Sequence, residues 1–299
     1  MRKTSVYLPD RLKERLAALA GHLDVSEAEL IREAIEARLE EPGIAPTPRP
    51  DPAMPGRFVG VGVGPGPTDL VTVRAIEALR RADRVFAPCT SLEAVGRAEA
   101  IVREAAPDIV VERLVFVMQP DHDARADALV AVCDRITEHL NAGEEVAFIT
   151  LGDPNLYSTV SSVVAGVRAR RPNTVVETVA GIMAFQALAA EGGVVLTDEQ
   201  QSIVLLPASV DAELIDVELE RPDRTVILYK GGGRLAAVAD QLEATGRLDD
   251  AVLGELVGMP GERITAVAAV RDQPASYLST VIAPAPEGVG PTPGIAEGA

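Results

Sequence analysis

Phe58-Val59-Gly60-Val61-Gly62-Val63-Gly64-Pro65-Gly66-Pro67-Thr68-Asp69-Leu70 runs from an apolar, β-branched stretch into a Gly/Pro loop and then into helical spacing over residues 70–82. A glycine-rich turn between strand and helix lets backbone donors approach a polar or anionic ligand, which makes this turn a candidate nucleotide-type site. Its glycines alternate at 60, 62 and 64 instead of following Gly-x-Gly-x-x-Gly. Pro65 and Pro67 remove donors, and no Gly-Lys-Ser/Thr occurs. Dinucleotide fingerprints and phosphate loops therefore both fit poorly.

Outward from this stretch, residues 109–116, 146–151, 174–179, 202–206, 225–229 and 251–257 read as further strands, and residues 124–140 and 235–244 as helices. Alternating strand and helix predict an α/β body with a largely parallel sheet and helices on its faces. On its N-terminal side lies a proline run, with prolines at 42, 46, 48, 50, 52 and 55. Lacking donors for helix or central strand, residues 42–55 are expected to be an extended linker. Residues 284–299 have similar composition and are expected to be a disordered tail.

The 299 residues carry a net charge of −17, which argues against the whole chain acting as a basic nucleic-acid binder. With 47% hydrophobic residues the chain can bury sizeable cores. No window of about 18 apolar residues and no N-terminal apolar signal core occur, so a cytoplasmic protein without membrane association is expected. Cys89 and Cys133 lie outside any Cys-x-x-Cys, and His22, His122 and His139 are the only histidines, so no metal is expected.

The first forty residues differ from the rest. Arg2, Lys3, Arg11, Lys13 and Arg15 against Asp10 and Glu14 give +3 over residues 1–15. Lys3-Thr4-Ser5-Val6-Tyr7-Leu8 alternates as a strand, Pro9 ends it, and Leu12, Leu16, Leu19 and Leu23 form a helix stripe. Ser26-Glu27-Ala28-Glu29 reads as a capping box opening a second helix. A lone strand on so small a core needs a second copy, so a homodimer is expected. This order resembles the ribbon-helix-helix domain of small bacterial repressors. The resemblance implies that residues 1–41 pair strand to strand and that Lys3, Ser5 and Tyr7 face DNA bases. Glu27 and Glu29 stand where the second helix should meet phosphate and repel it, so a module that only dimerises stays open beside DNA binding.

Further Gly-rich segments follow strands in the body: Thr150-Leu151-Gly152-Asp153-Pro154-Asn155-Leu156-Tyr157-Ser158-Thr159, Ala180-Gly181-Ile182-Met183-Ala184-Phe185, Tyr229-Lys230-Gly231-Gly232 and Glu255-Leu256-Val257-Gly258-Met259-Pro260-Gly261. In this order and spacing, with the Gly60–Gly66 segment, they resemble the tetrapyrrole (corrin/porphyrin) methylase family. Gly-Asp-Pro followed by Tyr-Ser-Thr, together with Gly96-Arg97-Ala98, is most similar to its branch that methylates precorrin-2 at C20. The resemblance implies two α/β domains, here 56–175 and 176–283, with the active site between them. It implies S-adenosylmethionine as cofactor, contacted by Pro65, Gly152, Asp153, Leu156, Met183, Ala184, Lys230 and Met259, and a tetrapyrrole substrate bordered by Gly64. The family's Pro-Gly-Ile-Thr/Ser turn is Ala180-Gly181-Ile182-Met183 here, without the hydroxyl.

A sulfonium methyl is already electrophilic, so the implied chemistry needs alignment and exclusion of water rather than a nucleophilic triad. The substrate's carboxylates need cations, for which Arg97, Arg113 and Arg125 are candidates. His122 is a candidate acid/base, and the deprotonating base stays open. A second reading has the chain bind DNA through residues 1–41 and sense S-adenosylmethionine or a tetrapyrrole without turnover.

Overall fold

The structure is a computed structural model and describes residues 10–23, 25–40, 56–117, 122–198 and 200–286. The expected strand over residues 3–8, with Lys3, Ser5 and Tyr7, the linker over residues 42–55 and the side chain of His122 lie outside the described residues.

Residues 1–51 are a unit separate from the body. Within it α1 (Asp10–Leu23) and α2 (Glu27–Glu40) follow the two expected helical stripes. The α2 entry is capped as its sequence requires, with Glu29 N–H donating to Ser26 Oγ at 3.2 Å. Ala20 is buried, and Leu19 on the same helix is exposed.

The body begins with β1 (Arg57–Gly62), α3 (Val73–Arg81), β2 (Arg84–Cys89), α4 (Arg97–Ala105), β3 (Glu112–Val115), α5 (His122–Asn141), β4 (Glu145–Thr150), α6 (Val160–Arg170) and β5 (Val175–Val179). The five strands form one sheet in the order β3-β2-β4-β1-β5, every pairing parallel. Central strands covered on both faces need apolar residues at nearly every position, as in Phe58–Val61 and Val146–Ile149. Val59 and Val61 pack with Ala75, Ala78 and Leu79 of α3 and with Ile101 and Val102 of α4. Phe58 and Phe148 face the other way, onto Ile136 and Leu140 of α5 and Val163 and Val167 of α6.

There follow α7 (Ala184–Glu191), β6 (Ser202–Pro207), α8 (Ala212–Leu219), β7 (Arg224–Tyr229), α9 (Leu235–Ala244), β8 (Val252–Glu255), β9 (Arg263–Ala266), α10 (Val267–Val270) and β10 (Ser279–Ala283). These strands form a second sheet, β6-β7-β10-β8-β9. Here the expectation of a largely parallel sheet needs correcting. Only β6 and β7 run parallel, whereas β10 inserts antiparallel between β7 and β8, and β9 pairs antiparallel with β8. For β8 and β9 the reason is connection length: β8 reaches β9 through a short turn, which suits antiparallel neighbours and leaves no room for a crossover helix.

Two boundaries also move. Val176–Val179 pairs with β1, so the first half extends past residue 175 and the passage to the second sheet falls between Val179 and α7. Pro284 and Ala285 are part of the packed body: Ala285 is buried, and its N–H donates to Thr225 Oγ1 at 3.0 Å. Their anchor is Arg247, which is 2% exposed. Its guanidinium donates to the carbonyls of Leu219 (3.2 Å), Arg224 (2.9 Å), Ala283 (2.6 Å) and Pro284 (2.6 Å). Burial lowers its pKa to about 10. Arg247→Met strips four interior carbonyls of their donor at about 1–3 kcal/mol per buried unsatisfied group, so a loss of about 3 kcal/mol or more is expected in urea unfolding. A midpoint within experimental error of wild type contradicts this anchoring role.

Candidate functional site

The helices after β1 and β4 lie on opposite faces of the first sheet, α3 against Val59 and Val61 and α6 against Phe58 and Phe148. The C-terminal ends of these two neighbouring strands therefore open a crevice of the kind in which α/β sheets bind ligands. Three glycines close its base. A Cβ at Gly62 or at Gly181 would collide with the Gly152 carbonyl oxygen, so the ends of β1, β4 and β5 meet backbone to backbone. Gly64 and Gly152, both with positive φ (81° and 64°), bridge the two loops, Gly152 N–H donating to Gly64 O at 2.8 Å.

Asp153 fixes the next turn. Its Oδ1 accepts from Asn155 N–H at 2.8 Å, closing an Asx turn, and its Oδ2 accepts from Gly181 N–H at 3.0 Å. One carboxylate thus ties the loop after β4 to the loop entering α7. At the start of α7, Tyr229 Oη accepts from Phe185 N–H at 3.2 Å, and the Gln186 side chain accepts from Met183 N–H at 2.9 Å. A hydroxyl at position 183 would cap the same first turn. Tyr229, on β7 of the second sheet against which α7 packs, supplies that acceptor, so the hydroxyl absent at Met183 is replaced. Burial raises the Tyr229 phenol to about 12, which keeps it protonated at neutral pH.

The opposite wall comes from the second sheet. A Cβ at Gly66 would crowd the Val257 carbonyl, and Gly258 (φ 70°) packs directly on Pro67, so the loops around residues 64–67 and 256–261 interlock. Tyr157, Lys230 and Leu256 are the non-glycine residues with positive φ among the described residues, and all three line the cleft. Such backbones cost about 1–3 kcal/mol each and persist only where neighbours over-determine them. Tyr157 is held by its hydroxyl donating to Leu205 O at 3.1 Å and its ring 5.9 Å from that of Tyr229. Lys230 N–H donates to Ser279 O (2.9 Å), and Leu256 N–H to Leu278 O (3.0 Å).

The resulting cleft draws its lining from loops of both sheets. Pro65, Gly152, Asp153, Leu156, Met183, Ala184, Lys230 and Met259, the eight residues singled out for the cofactor, all line it. Gly64 stands beside it through its bridge to Gly152. The arginines do not join them. Arg97 is exposed at the start of α4. Arg113 donates to the buried carboxylate of Glu99 at 2.7 Å, which Arg103 also approaches at 2.6 Å. Burial opposes the charged form of Glu99, but the two guanidinium groups outweigh it and its pKa is lowered. Arg113 is committed to that pair, and Arg125 does not line the cleft.

Sequence reasoning missed Tyr157, Tyr229, Leu256, Tyr277, Ser279 and Thr280 as lining residues. The first three stand inside or beside quoted motifs. Tyr277, Ser279 and Thr280 belong to a segment with no glycine or turn signature, placed at the cleft only by the antiparallel insertion of β10.

Residues 57–270 match the family of tetrapyrrole (corrin/porphyrin) methylases. The chain belongs to that family. Residues 2–42 of this methylase match the ribbon-helix-helix proteins of the copG family. Among its relatives is a precorrin-2 C(20)-methyltransferase of Sinorhizobium sp, 31% identical over 238 residues, 77% of this chain and 95% of that one. A cobalt-precorrin-2 C(20)-methyltransferase of Salmonella typhimurium is 30% identical over 232 residues, 77% of this chain and 96% of that one. The structure of a cobalt precorrin-4 methyltransferase shares the fold, with a TM-score of 0.56 at 20% identity over 76% of this chain and 94% of that one. No helix among the described residues of the methylase is long and apolar enough to cross a membrane.

Proposed function

We propose that this methylase transfers a methyl group from S-adenosylmethionine to C20 of precorrin-2 or of its cobalt-bearing counterpart. The observation that carries the reading is the convergence of the eight residues on one cleft, in a chain about 30% identical to C20-methyltransferases over nearly their whole length.

The residues present suit the cofactor. The hydroxyl of Ser279 is buried without a hydrogen-bond partner in a residue that lines the cleft, a polar group of the kind a bound ligand satisfies. Pro65, Leu156, Met183 and Met259 add apolar wall to it. When bound, S-adenosylmethionine supplies an electrophilic methyl on sulfonium. The glycine crossing at 62, 152 and 181 sets how closely the donor approaches the backbone, and the interlocked loops around 66 and 258 limit water. With both oxygens of its carboxylate accepting backbone N–H groups, Asp153 is a positioning residue rather than the base that removes the C20 proton.

Within this proposal residues 1–41 pair two copies of a cytoplasmic enzyme, and the exposed Leu19 suits such a contact. The second reading, a DNA-bound sensor without turnover, is favoured by the match of residues 2–42 alone. Anaerobic incubation of the protein with S-adenosylmethionine and enzymatically generated precorrin-2, followed by product mass, separates the two. The proposal expects a gain of one methyl. Tight S-adenosylmethionine binding without any gain supports the sensor and overturns the enzyme.

A further inference from the structure

The chain holds 25 arginines and three lysines, and Lys230 is the only lysine after Lys13. Several arginines of the body sit in ion pairs, among them Arg84, Arg113, Arg263 and Arg271. Lys230 does not. Among the described residues no carboxylate pairs with it, and its ammonium lies 5.7 Å from the centre of the Tyr277 ring. Among the described residues it is the single cation lining the cleft, and the single carboxylate there, Asp153, is occupied by two backbone N–H groups.

Its backbone explains how it comes to face the cleft. Strand alternation would send the neighbours Tyr229 and Lys230 to opposite faces of the sheet. The left-handed turn at Lys230 (φ 61°), fixed by its N–H on Ser279 O, breaks the alternation, and both residues line the same cleft. Lys230 is exposed and its ring partner Tyr277 is 57% exposed, so the ammonium stands at the rim rather than in the depth where the glycine loops converge.

We propose that the Lys230 ammonium receives a carboxylate of the tetrapyrrole substrate at the cleft rim and does not contact the cofactor. The inference rests on the substrate assignment above. A compact ammonium on a flexible stem can leave an aromatic face for a carboxylate at little cost, and it takes over the task that Arg97 and Arg113, both off the cleft, do not perform.

The test uses the full chain, with Lys230→Met and Lys230→Arg beside wild type. Precorrin-2 is titrated anaerobically by absorbance in the presence of S-adenosylhomocysteine, so that no turnover occurs, at low and high salt. S-adenosylhomocysteine is titrated separately by calorimetry. For Lys230→Met the expected result is roughly tenfold weaker precorrin-2 binding with a flattened salt dependence, and S-adenosylhomocysteine affinity within about twofold of wild type. Lys230→Arg, which keeps the charge, should retain most of the affinity. Weaker S-adenosylhomocysteine with unchanged precorrin-2 assigns the ammonium to the cofactor and overturns the proposal, as does no change in either. If wild type binds S-adenosylhomocysteine but no precorrin-2, the substrate assignment itself has failed and this inference falls with it.

Discussion

Gly181→Ala is expected to abolish measurable S-adenosylmethionine binding. The added methyl would overlap the Gly152 carbonyl oxygen and come within 2.9 Å of Gly62 Cα, and neither neighbour is a side-chain end that can swing away. To admit it, the ends of β1, β4 and β5 must separate. Separation also breaks the bond from Gly181 N–H to Asp153 Oδ2 and moves the loop leading to Met183 and Ala184. Binding weakened by about 100-fold or more corresponds to about 2.7 kcal/mol, modest for a backbone clash. Gly233→Ala is the matched control: nothing lies within 4 Å of a Cβ there and its φ is not positive, so calorimetry should find unchanged affinity. Equal, small effects of the two substitutions would contradict the role given to the glycine crossing.

The second large effect belongs to Asp153. Asp153→Ala removes the acceptor of Asn155 N–H and of Gly181 N–H together, each a charge-assisted bond of about 1.5–3 kcal/mol. Part of that loss falls on folding, because the loop after β4 relaxes in the free protein. The remainder appears in binding, as S-adenosylmethionine affinity lowered about tenfold or more in calorimetry. Asp153→Asn keeps one amide oxygen as acceptor and presents an NH₂ group to the other backbone donor, so it should fall between wild type and alanine. Unchanged affinity in Asp153→Ala would remove Asp153 from the site.

Much of this site was legible in the sequence because its parts are local. The Gly60–Gly66 stretch and the Gly152-Asp153-Pro154 turn each follow an apolar run, and a strand ending in glycines announces a close approach whatever its partner. What stayed hidden depends on partners distant in the chain. Tyr229 accepts from Phe185 N–H, 44 residues earlier in the first turn of α7, and nothing beside Met183 signals that its missing hydroxyl is replaced from another strand. The direction of β10 was equally invisible, because an apolar run such as Thr280–Ile282 reads the same in a parallel or an antiparallel sheet. The arginines misled for a related reason. Arg113 lies beside a loop in sequence, but the buried Glu99 on α4 claims it, and only the fold brings the two together.

The central claim is the position of methylation. Its most direct measurement is an anaerobic reaction of the full chain with precorrin-2 and S-adenosylmethionine carrying a ¹³C methyl, with the label located in the product by NMR. The account predicts one labelled methyl group, on C20. A label at any other ring position, or S-adenosylmethionine bound to the protein with no label transferred, would contradict it.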